Sequence, residues 1–469
     1  MNRKKELIKN TIIISIGKFS TKIISFLLLP LYTSILLPAE KGQVELLNRI
    51  SLFLIPFMTL EMDEALFRFL IESKTDSDKK NVFSQVALFS LISSLSWSII
   101  IFIVGNLLHY EYTNWLIFYC LASFLYTVVT GFLRGEGNFK MYSLLAFVNS
   151  LINIGLNVVF LAVLKIGLTG MFLSYIIASF LTGIYGAIYV KAYKLISFKG
   201  SHKKMREMIK YSIPLVPSTI SWSVISLTDT LMIKLNIGDS ANGIYGTSNT
   251  FPTIMNTLYS FFNTSWRESA SRAVDSKTKN DFYSSVYLTI KHFLVGVSIM
   301  IIGMLPFVFG ILVNKNYNES YTYIPLMVIS VYFSNLASFS SGIFSAYKDT
   351  NILGKTTFVA AMVNLVFNFL LIGRIGLFAP ILGTLFSYIG ITVYRNYKLR
   401  KYIILPKDQY FFFNVLVLGI VIMLYYCDNV LLHGIGLIIS FGYGYYINRY
   451  FVKKIVKNLI AKISKRSKK

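Results

Sequence analysis

The sequence contains few of the residues that build metal sites, covalent frameworks and polar catalytic centres. Among 469 residues there are two cysteines, four histidines and 21 acidic residues. Cys120 and Cys427 both lie in or beside apolar segments, so neither a disulfide framework nor a thiolate metal site is indicated. The motifs GxxxxGK[ST], HExxH and GxSxG are missing as well. The sequence therefore predicts no nucleotide-driven pump, no enzyme, no metal site and no cofactor.

Charged residues are also scarce, at 14%, whereas hydrophobic residues make up 55% and the mean hydropathy is +0.60. A soluble chain could not bury this much apolar surface in a core. The apolar runs lack the two-residue alternation of membrane barrel strands. The sequence predicts an all-α integral membrane protein with about 14 transmembrane helices. These are expected at 11–36, 43–70, 83–107, 113–133, 141–164, 168–190, 211–235, 243–267, 283–312, 321–346, 355–373, 376–394, 409–426 and 430–448.

The basic residues predict how these helices are oriented in the membrane. The formal net charge of +25 would favour a nucleic-acid partner in a soluble protein. Most basic residues, however, lie in alternate connections between the helices, including 191–210, 395–407 and the tail from Arg449 onward. The positive-inside rule then predicts that both termini are cytoplasmic. We expect membrane lipids to surround the protein, and binding of their anionic headgroups is a second expected role of the basic tail. No nucleic-acid partner is expected.

The second six helices repeat features of the first six. Paired asparagines precede a basic residue and a glycine near the ends of the fifth and eleventh helices, and two further glycine pairs recur at a similar spacing. The matched positions are Asn153 and Asn364, Asn157 and Asn368, Lys165 and Arg374, Gly42 and Gly243, and Gly131 and Gly342. We expect two pseudo-symmetric lobes, 1–200 and 201–403, followed by a C-terminal helix pair with a basic tail in 404–469. Hydrogen bonds between neighbouring helices explain the asparagines without a binding role.

Charged or polar stripes on four helices, the first, second, seventh and eighth, predict a water-filled cavity. A charge near the middle of a membrane helix costs about 2.5–3.5 kcal/mol on insertion scales, so such residues are expected to face protein or water. Lys18 and Lys22 share one face of the first helix, and a polar stripe within an arc of about 80° follows the eighth helix. With Arg49 of the second helix, these stripes supply the candidate cavity residues. They are Lys18, Lys22, Arg49, Asn249, Asn256, Asn263 and Arg267.

Acidic residues of the second and seventh helices are candidates for binding a coupling ion or for gating: Asp63, Asp229, Glu61 and Glu64. In the second helix, Glu45 and Arg49 have the i,i+4 spacing of an ion pair, and Glu64 and Arg68 have it too. Pro56 predicts a kink between these groups. In the seventh helix, Pro214 and Pro217 are expected to bend the cytoplasmic end.

For Glu61, Glu64, Arg68 and Arg267, an alternative interpretation remains open. These residues lie near predicted helix ends, where long charged side chains can reach water without entering a cavity. Under this interpretation they anchor the helix ends and take no part in transport.

Two stretches resemble a known family. They are Asn10 to Leu36, with Gly17 and Pro30-Leu31-Tyr32, and Leu60-Glu61-Met62-Asp63-Glu64-Ala65-Leu66-Phe67-Arg68-Phe69. They are similar to the first two helices of the polysaccharide-transporter branch of the multidrug/oligosaccharidyl-lipid/polysaccharide (MOP) exporter superfamily, which includes the Wzx-type O-antigen flippases. The arrangement of six, six and two helices resembles that branch as well.

The resemblance implies a bacterial cytoplasmic-membrane protein that moves an undecaprenyl-pyrophosphate-linked oligosaccharide to the outer leaflet. The product would be O-antigen, capsule or another exopolysaccharide. It further implies alternating access through a cationic central cavity, a polysaccharide polymerase and a chain-length regulator as partners, and coupling to a proton or sodium gradient through Asp63 or Asp229.

Two other functions compete with this one. A MATE-like multidrug or cation antiporter of the same superfamily would favour a carboxylate-rich cavity, and Lys18, Lys22 and Arg49 argue against it. A membrane enzyme such as a polysaccharide polymerase or ligase would need a large outer loop, whereas every predicted outer connection is short.

Overall fold

The computed structural model describes residues 26–197 and 202–466, and within these residues it contains helices and no β-strand. This confirms the predicted all-α class. The helices of the first part are α1 (Leu29–Ile35), α2 (Pro38–Thr59), α3 (Met62–Glu72), α4 (Asp76–Leu107), α5 (Thr113–Gly135), α6 (Phe139–Asn157), α7 (Gly167–Tyr189), α8 (Ala192–Leu195), α9 (His202–Ser212), α10 (Leu215–Asn236) and α11 (Asp239–Thr250). A π-helical turn, Val158–Val163, extends α6.

The second part continues with seven helices and one short 3₁₀ turn, Lys315–Tyr317. They are α12 (Pro252–Ala273), α13 (Lys279–Leu312), α14 (Ser320–Ala346), α15 (Asn351–Ile375), α16 (Phe378–Leu399), α17 (Phe411–Tyr425) and α18 (Val430–Arg466). Eight helical segments of the described residues are long and apolar enough to cross a membrane, and α17 is a shorter apolar helix. The protein is therefore a multi-pass membrane protein.

The first predicted span, 11–36, lies mostly outside the described residues. Of the other predicted spans, several are more polar than these eight or are interrupted. The second divides between α2 and α3, where Leu60 and Glu61 adopt left-handed backbone conformations with φ of 49° and 53°. Helix α2 continues through Pro56 to Thr59, and the kink expected at Pro56 stays a prediction. The eighth divides between α11 and α12, since Pro252 lacks the N–H that would bond to the carbonyl of residue 248.

In the seventh predicted span, the helix begins at the two prolines. Helix α10 begins at Leu215 with Pro214 as its N-cap, and Pro217 lies in its first turn. Backbone N–H groups of a first turn have no partner inside the helix, so proline costs little there. These prolines start the helix, and the bend expected at Pro214 and Pro217 stays a prediction.

Residue contacts divide the chain into two compact units, Met1–Gly246 and Thr247–Lys469. In the first unit, α5 packs against α3 and α7; in the second, α14 packs against α12 and α16 in the same way. The repeated glycines lie at these contacts. A methyl group on Gly131 would lie 3.1 Å from Asp63 Cβ, and one on Gly342 would lie 2.6 Å from Trp266 Nε1. This division does not test the predicted lobes, 1–200 and 201–403, which stay a prediction.

The C-terminal helices α17 and α18 pack against each other and against α13 within the second unit. Small residues let α13 and α18 approach closely, because Gly303 faces Ser440 and the Gly436 carbonyl, and Gly444 faces Met300. The linker before α17 is anchored to α13 through Asp408. Its carboxylate lies 2.7 Å from Lys291 Nζ and 3.0 Å from His292 Nε2.

Candidate functional site

The predicted site residues fall on four segments, and the first of these lies outside the described residues. Lys18 and Lys22, the candidate cations of the first predicted helix, belong to that stretch. The remaining candidates lie on α2 with α3, on α10 with α11, and on α12.

Helix α2 carries a ladder of alternating charges. Glu45 Oε2 lies 3.7 Å from Arg49 Nη2, which confirms the predicted i,i+4 pair, and both side chains are about one quarter exposed. Lys41 stands one turn before Glu45 and is only 5% exposed. The i,i+4 spacing of Lys41 from Glu45 and of Glu45 from Arg49 places the three charges on one helical face. The ladder has one more cation than anions.

The acidic residues after the helix break have different partners from those predicted. Glu64 accepts a bidentate hydrogen bond from Arg134 of α5, with an Nη1–Oε1 distance of 2.8 Å. Arg68 pairs with Glu72 at 2.7 Å. The predicted Glu64–Arg68 pair was therefore wrong, because α5 brings the half-buried guanidinium of Arg134 next to Glu64, whereas Arg68 points to the exposed side.

Glu61 and Asp63 belong to the same turn. The Glu61 side chain is hydrogen-bonded to Thr219 of α10. Asp63 lies in the first turn of α3 beside Gly131 of α5. The turn thus brings three carboxylates close to one another, and Arg134 lies next to two of them, Glu64 and Asp63. Among the described residues, no three Asp, Glu, His or Cys side chains are arranged to hold a metal ion.

Asp229, the acidic candidate of α10, is buried at 1% exposure. The Tyr245 hydroxyl of α11 donates to Asp229 Oδ2 at 2.9 Å. One turn away, Asn242 of α11 donates from Nδ2 to the Thr230 carbonyl at 3.0 Å. These bonds fix α10 against α11 and place Asp229 away from open solvent.

Helix α12 has one polar exposed face and one apolar buried face. The buried face packs against α14 and includes Met255, Tyr259, Trp266 and Ala270. The exposed face includes Thr253, Asn256, Ser260 and Arg267. Asn263 is half-buried, and its Oδ1 accepts no hydrogen bond among the described residues. Asn249 lies before Pro252, on α11, so the predicted stripe does not continue along a single helix.

Chemically, the site offers cations, amides and hydroxyls rather than a nucleophile with a base. Amides and hydroxyls exchange hydrogen bonds with sugar hydroxyls, and arginine forms charge-assisted hydrogen bonds with phosphate. The carboxylates lie in pairs or in buried positions, where they can neutralise or attract a cation.

A model of the family described as polysaccharide biosynthesis protein matches residues 7–267, which is more than half of the chain. The chain belongs to this family. The resemblance to the polysaccharide-transporter branch is thereby confirmed. No curated protein matches the sequence.

Solved structures with a similar fold are membrane transporters. The lipid II flippase MurJ, in an inward closed conformation, has a TM-score of 0.75 at 14% identity; the match covers 95% of this chain and 100% of MurJ. An inward-facing multidrug resistance MATE transporter of the MOP superfamily has a TM-score of 0.65 at 14% identity, covering 82% and 98%. A mutant of the Vibrio cholerae MATE transporter VcmN has a TM-score of 0.56 at 14% identity, covering 85% and 97%. The polysaccharide biosynthesis family member thus has a fold of the MOP superfamily.

Proposed function

We propose that this protein is a flippase that moves an undecaprenyl-pyrophosphate-linked oligosaccharide across the bacterial cytoplasmic membrane during surface polysaccharide assembly. The observation that carries the proposal is the exposed polar face of α12 in a member of the polysaccharide biosynthesis family. Hydrocarbon does not solvate amide side chains. Inserting an arginine near the bilayer centre costs about 2.5–3.5 kcal/mol of free energy. A water-filled path beside α12 avoids this cost.

The substrate needs such a path because its two ends differ in chemistry. Sugars and a diphosphate lose their hydrogen bonds to water in hydrocarbon, whereas the prenyl tail is soluble in hydrocarbon. In this mechanism, Lys18, Lys22, Arg49 and Arg267 attract the diphosphate, and Asn256 and its neighbours on α12 bind sugar hydroxyls. Access to this path alternates between the two membrane faces, so that no continuous pore opens.

Gradient coupling is part of the proposal. Asp229 accepts a hydrogen bond from Tyr245 in a buried setting, and Asp63 lies beside Glu61 and Glu64. A carboxylate in such a position can bind a proton or a sodium ion and release it on the other side. Polysaccharide polymerase and chain-length regulator proteins are the proposed partners, and O-antigen, capsule and another exopolysaccharide are the alternative products.

A MATE-like antiporter is the second candidate, because several solved MATE transporters share the fold. An antiporter that exports organic cations needs an accessible carboxylate with few competing cations. In the described residues Glu64 is engaged by Arg134 and Glu45 is close to Arg49. This charge pattern favours an anionic substrate over a cationic one.

The substitution Asn256→Leu tests the flippase. It removes hydrogen-bonding groups from the exposed face of α12 and adds an apolar side chain of similar size. We expect less surface polysaccharide, with lipid-linked precursor accumulating in the inner leaflet and resistance to cationic dyes unchanged. Thr289→Leu is the matched control, because Thr289 is an exposed polar residue of α13 in the same unit. Normal surface polysaccharide in a complete deletion strain, with no second flippase present, would refute the proposal.

A further inference from the structure

Two helix ends of the first unit meet on the side of the membrane that the predicted topology assigns to the cytoplasm. Asn138 is the N-cap of α6, and its Oδ1 accepts a hydrogen bond from the Met141 N–H at 3.2 Å. Its Nδ2 donates to the hydroxyl of Tyr189, the last residue of α7, at 3.3 Å. One amide side chain thus bridges the start of α6 and the end of α7. We call residues 138–140 and 185–194 the α6–α7 rim.

The α6–α7 rim is basic. Lys140, Lys191 and Lys194 are exposed, and the rim contains no acidic residue. Glu136, which precedes the rim, forms an ion pair with Lys79 at 3.0 Å. Lys191 has a left-handed backbone conformation with φ of 54°, which is uncommon for a residue other than glycine, and it turns the chain from α7 into α8. The rim therefore gathers three cations at the ends of two helices.

The rim also has hydrogen-bond donors near these cations. The first N–H groups of a helix have no partner inside it and carry partial positive charge. Asn138 satisfies one of them in α6, that of Met141. The Tyr189 hydroxyl accepts from Asn138, and its own hydrogen has no acceptor among the residues that the structure describes. N–H, O–H and ammonium donors together are the groups that bind a phosphate.

An apolar surface continues from the rim toward the membrane interior. On α7, Tyr185 stands one turn before Tyr189 and is 50% exposed, and Ile188 is 63% exposed. On α6, Leu144 is 47% exposed one turn after Lys140. Exposed aromatic and aliphatic side chains beside lysines are typical of the boundary between hydrocarbon and lipid headgroups. The occupant of the rim must therefore carry both an anionic group and hydrocarbon chains, which excludes a soluble protein and free phosphate.

The second unit offers a comparison at the end of α16. Lys398 lies 5.6 Å from the ring centroids of Tyr394 and Tyr397, much as Lys194 lies 5.8 Å from that of Tyr193 in the rim. Such aromatic and basic residues form interfacial belts in many membrane proteins. The α6–α7 rim combines a belt of this kind with the amide bridge and with the N-terminus of α6. This combination makes the rim a candidate site for a specific class of lipid.

We propose that the α6–α7 rim binds the headgroup of an anionic phospholipid of the cytoplasmic leaflet. Lys140, Lys191 and Lys194 neutralise the phosphate, Tyr189 and the N-terminus of α6 donate hydrogen bonds to it, and the acyl chains lie along Tyr185. The bound lipid adds a second bridge between α6 and α7 to the existing amide bridge. Binding at the rim requires no transported substrate, since none of its residues is a candidate cavity residue.

The first test titrates the detergent-purified full-length protein with radiolabelled phosphatidylglycerol. The triple variant Lys140→Gln, Lys191→Gln and Lys194→Gln should bind this lipid about tenfold more weakly than the native protein, because three charge-assisted contacts are lost. Tyr189→Phe removes one donor and should weaken binding about two- to fivefold. Phosphatidylcholine, whose headgroup has no net charge, should bind weakly to the native protein and to both variants. Native affinity for phosphatidylglycerol in the triple variant would overturn the site.

The matched control removes the same charge from three exposed lysines of the second unit: Lys277→Gln, Lys355→Gln and Lys398→Gln. It should keep the native affinity for phosphatidylglycerol. Equal weakening in both triple variants would show that net charge alone decides binding, and the site would be rejected. Arginine at the three rim positions retains the charge and should retain most of the affinity. Loss of binding in this arginine variant as well would contradict the role of charge.

The second test repeats the titration with undecaprenyl diphosphate, the other kind of lipid that carries phosphate. The rim triple variant should bind undecaprenyl diphosphate as the native protein does, because the rim holds a phospholipid and not the transported lipid. A loss confined to undecaprenyl diphosphate, with phosphatidylglycerol binding unchanged, would overturn the phospholipid site and assign the rim to the transport path.

Discussion

At the scale of single residues, Arg395 of α16 is a buried cation held by neutral groups. It is 1% exposed, and its Nε donates to Thr356. Its Nη1 donates to the Ala337 carbonyl and to Ser341, and its Nη2 donates to the Leu353 carbonyl and to Thr357. Every N–H of the guanidinium is thus used, and the side chain joins α14, α15 and α16. With no donor left for a ligand, Arg395 is a structural residue.

We predict that Arg395→Met destabilises the second unit. The methionine leaves buried acceptors without donors, and the free energy of unfolding should fall by about 2–4 kcal/mol. Arg395→Lys should recover only part of this loss, because an ammonium has three donors and no planar fork. The measurement is the midpoint of thermal aggregation in detergent. Arg400→Met, at an exposed arginine of the same region, is the control, and equal midpoints for the two methionine variants would contradict the prediction.

Residue-scale predictions from the sequence succeeded where spacing on one helix decided the contact. Glu45 and Arg49 meet because four residues make about one helical turn. The same rule failed for Glu64, since Arg134 comes from a helix distant in sequence and offers a bidentate contact. Burial of Lys41 could not be predicted either, because it depends on the packing around α2 rather than on local hydropathy. Lys18 and Lys22 stay predictions.

At the scale of helices, the two repeated glycines Gly131 and Gly342 mark where a helix must approach its neighbour. A methyl group on Gly131 would lie 3.1 Å from Asp63 Cβ and 3.2 Å from the Asp63 carbonyl oxygen. Backbone atoms cannot move aside as a flexible side chain can. The α3–α5 contact therefore requires glycine, and the same position in the second unit faces the Trp266 ring.

We predict that Gly131→Ala lowers the stability of the protein by about 1–3 kcal/mol, since α5 must shift away from α3. The shift also displaces Asp63. Gly354→Ala should instead raise the stability of the protein. An added methyl group meets no atom within 4 Å at Gly354, and alanine favours helix by about 0.5–1 kcal/mol over glycine. Thermal unfolding of both variants in detergent measures the difference. Stabilisation by Gly131→Ala would contradict the close contact.

The linker between α16 and α17 has a titratable anchor. Burial by itself raises the pKa of Asp408, but hydrogen bonds from Lys291 and His292 outweigh it and hold this pKa below its ordinary value. A depressed folded pKa means that the carboxylate stabilises the fold above the unfolded pKa, about 3.9, and that this stability is lost as the pH falls further.

We therefore predict that the unfolding temperature of the native protein falls steeply below about pH 4. Asp408→Asn should already be less stable at neutral pH, and its stability should change less over the acidic range. Asp428→Asn, at an exposed aspartate, is the control and should follow the native curve. Parallel pH curves for the native protein and Asp408→Asn would contradict the anchoring role.

At the scale of the whole molecule, hydropathy located most of the helices, because burial in lipid requires long apolar runs whatever the tertiary contacts. The positions at which α2 ends and α12 begins were not predictable in the same way. Leu60 and Glu61 adopt left-handed conformations without glycine, so tertiary packing overrides local preference there. These breaks fall in the segments that carry the candidate charges, where departures from regular helix are expected in transporters.

The predicted orientation of the molecule in the membrane rests on its charge distribution and can be tested by labelling. Basic residues crowd the stretch 191–210 before α10 and the C-terminal part of α18 from Arg449 onward, and translocation of such segments is unfavourable. Single cysteines at Ser240 and Asn316 should react with an impermeant maleimide from outside, whereas cysteines at His202 and Lys465 should react only after permeabilisation. Permeabilised cells, in which all four positions react, control for folding. Opposite labelling of either pair would contradict the predicted topology.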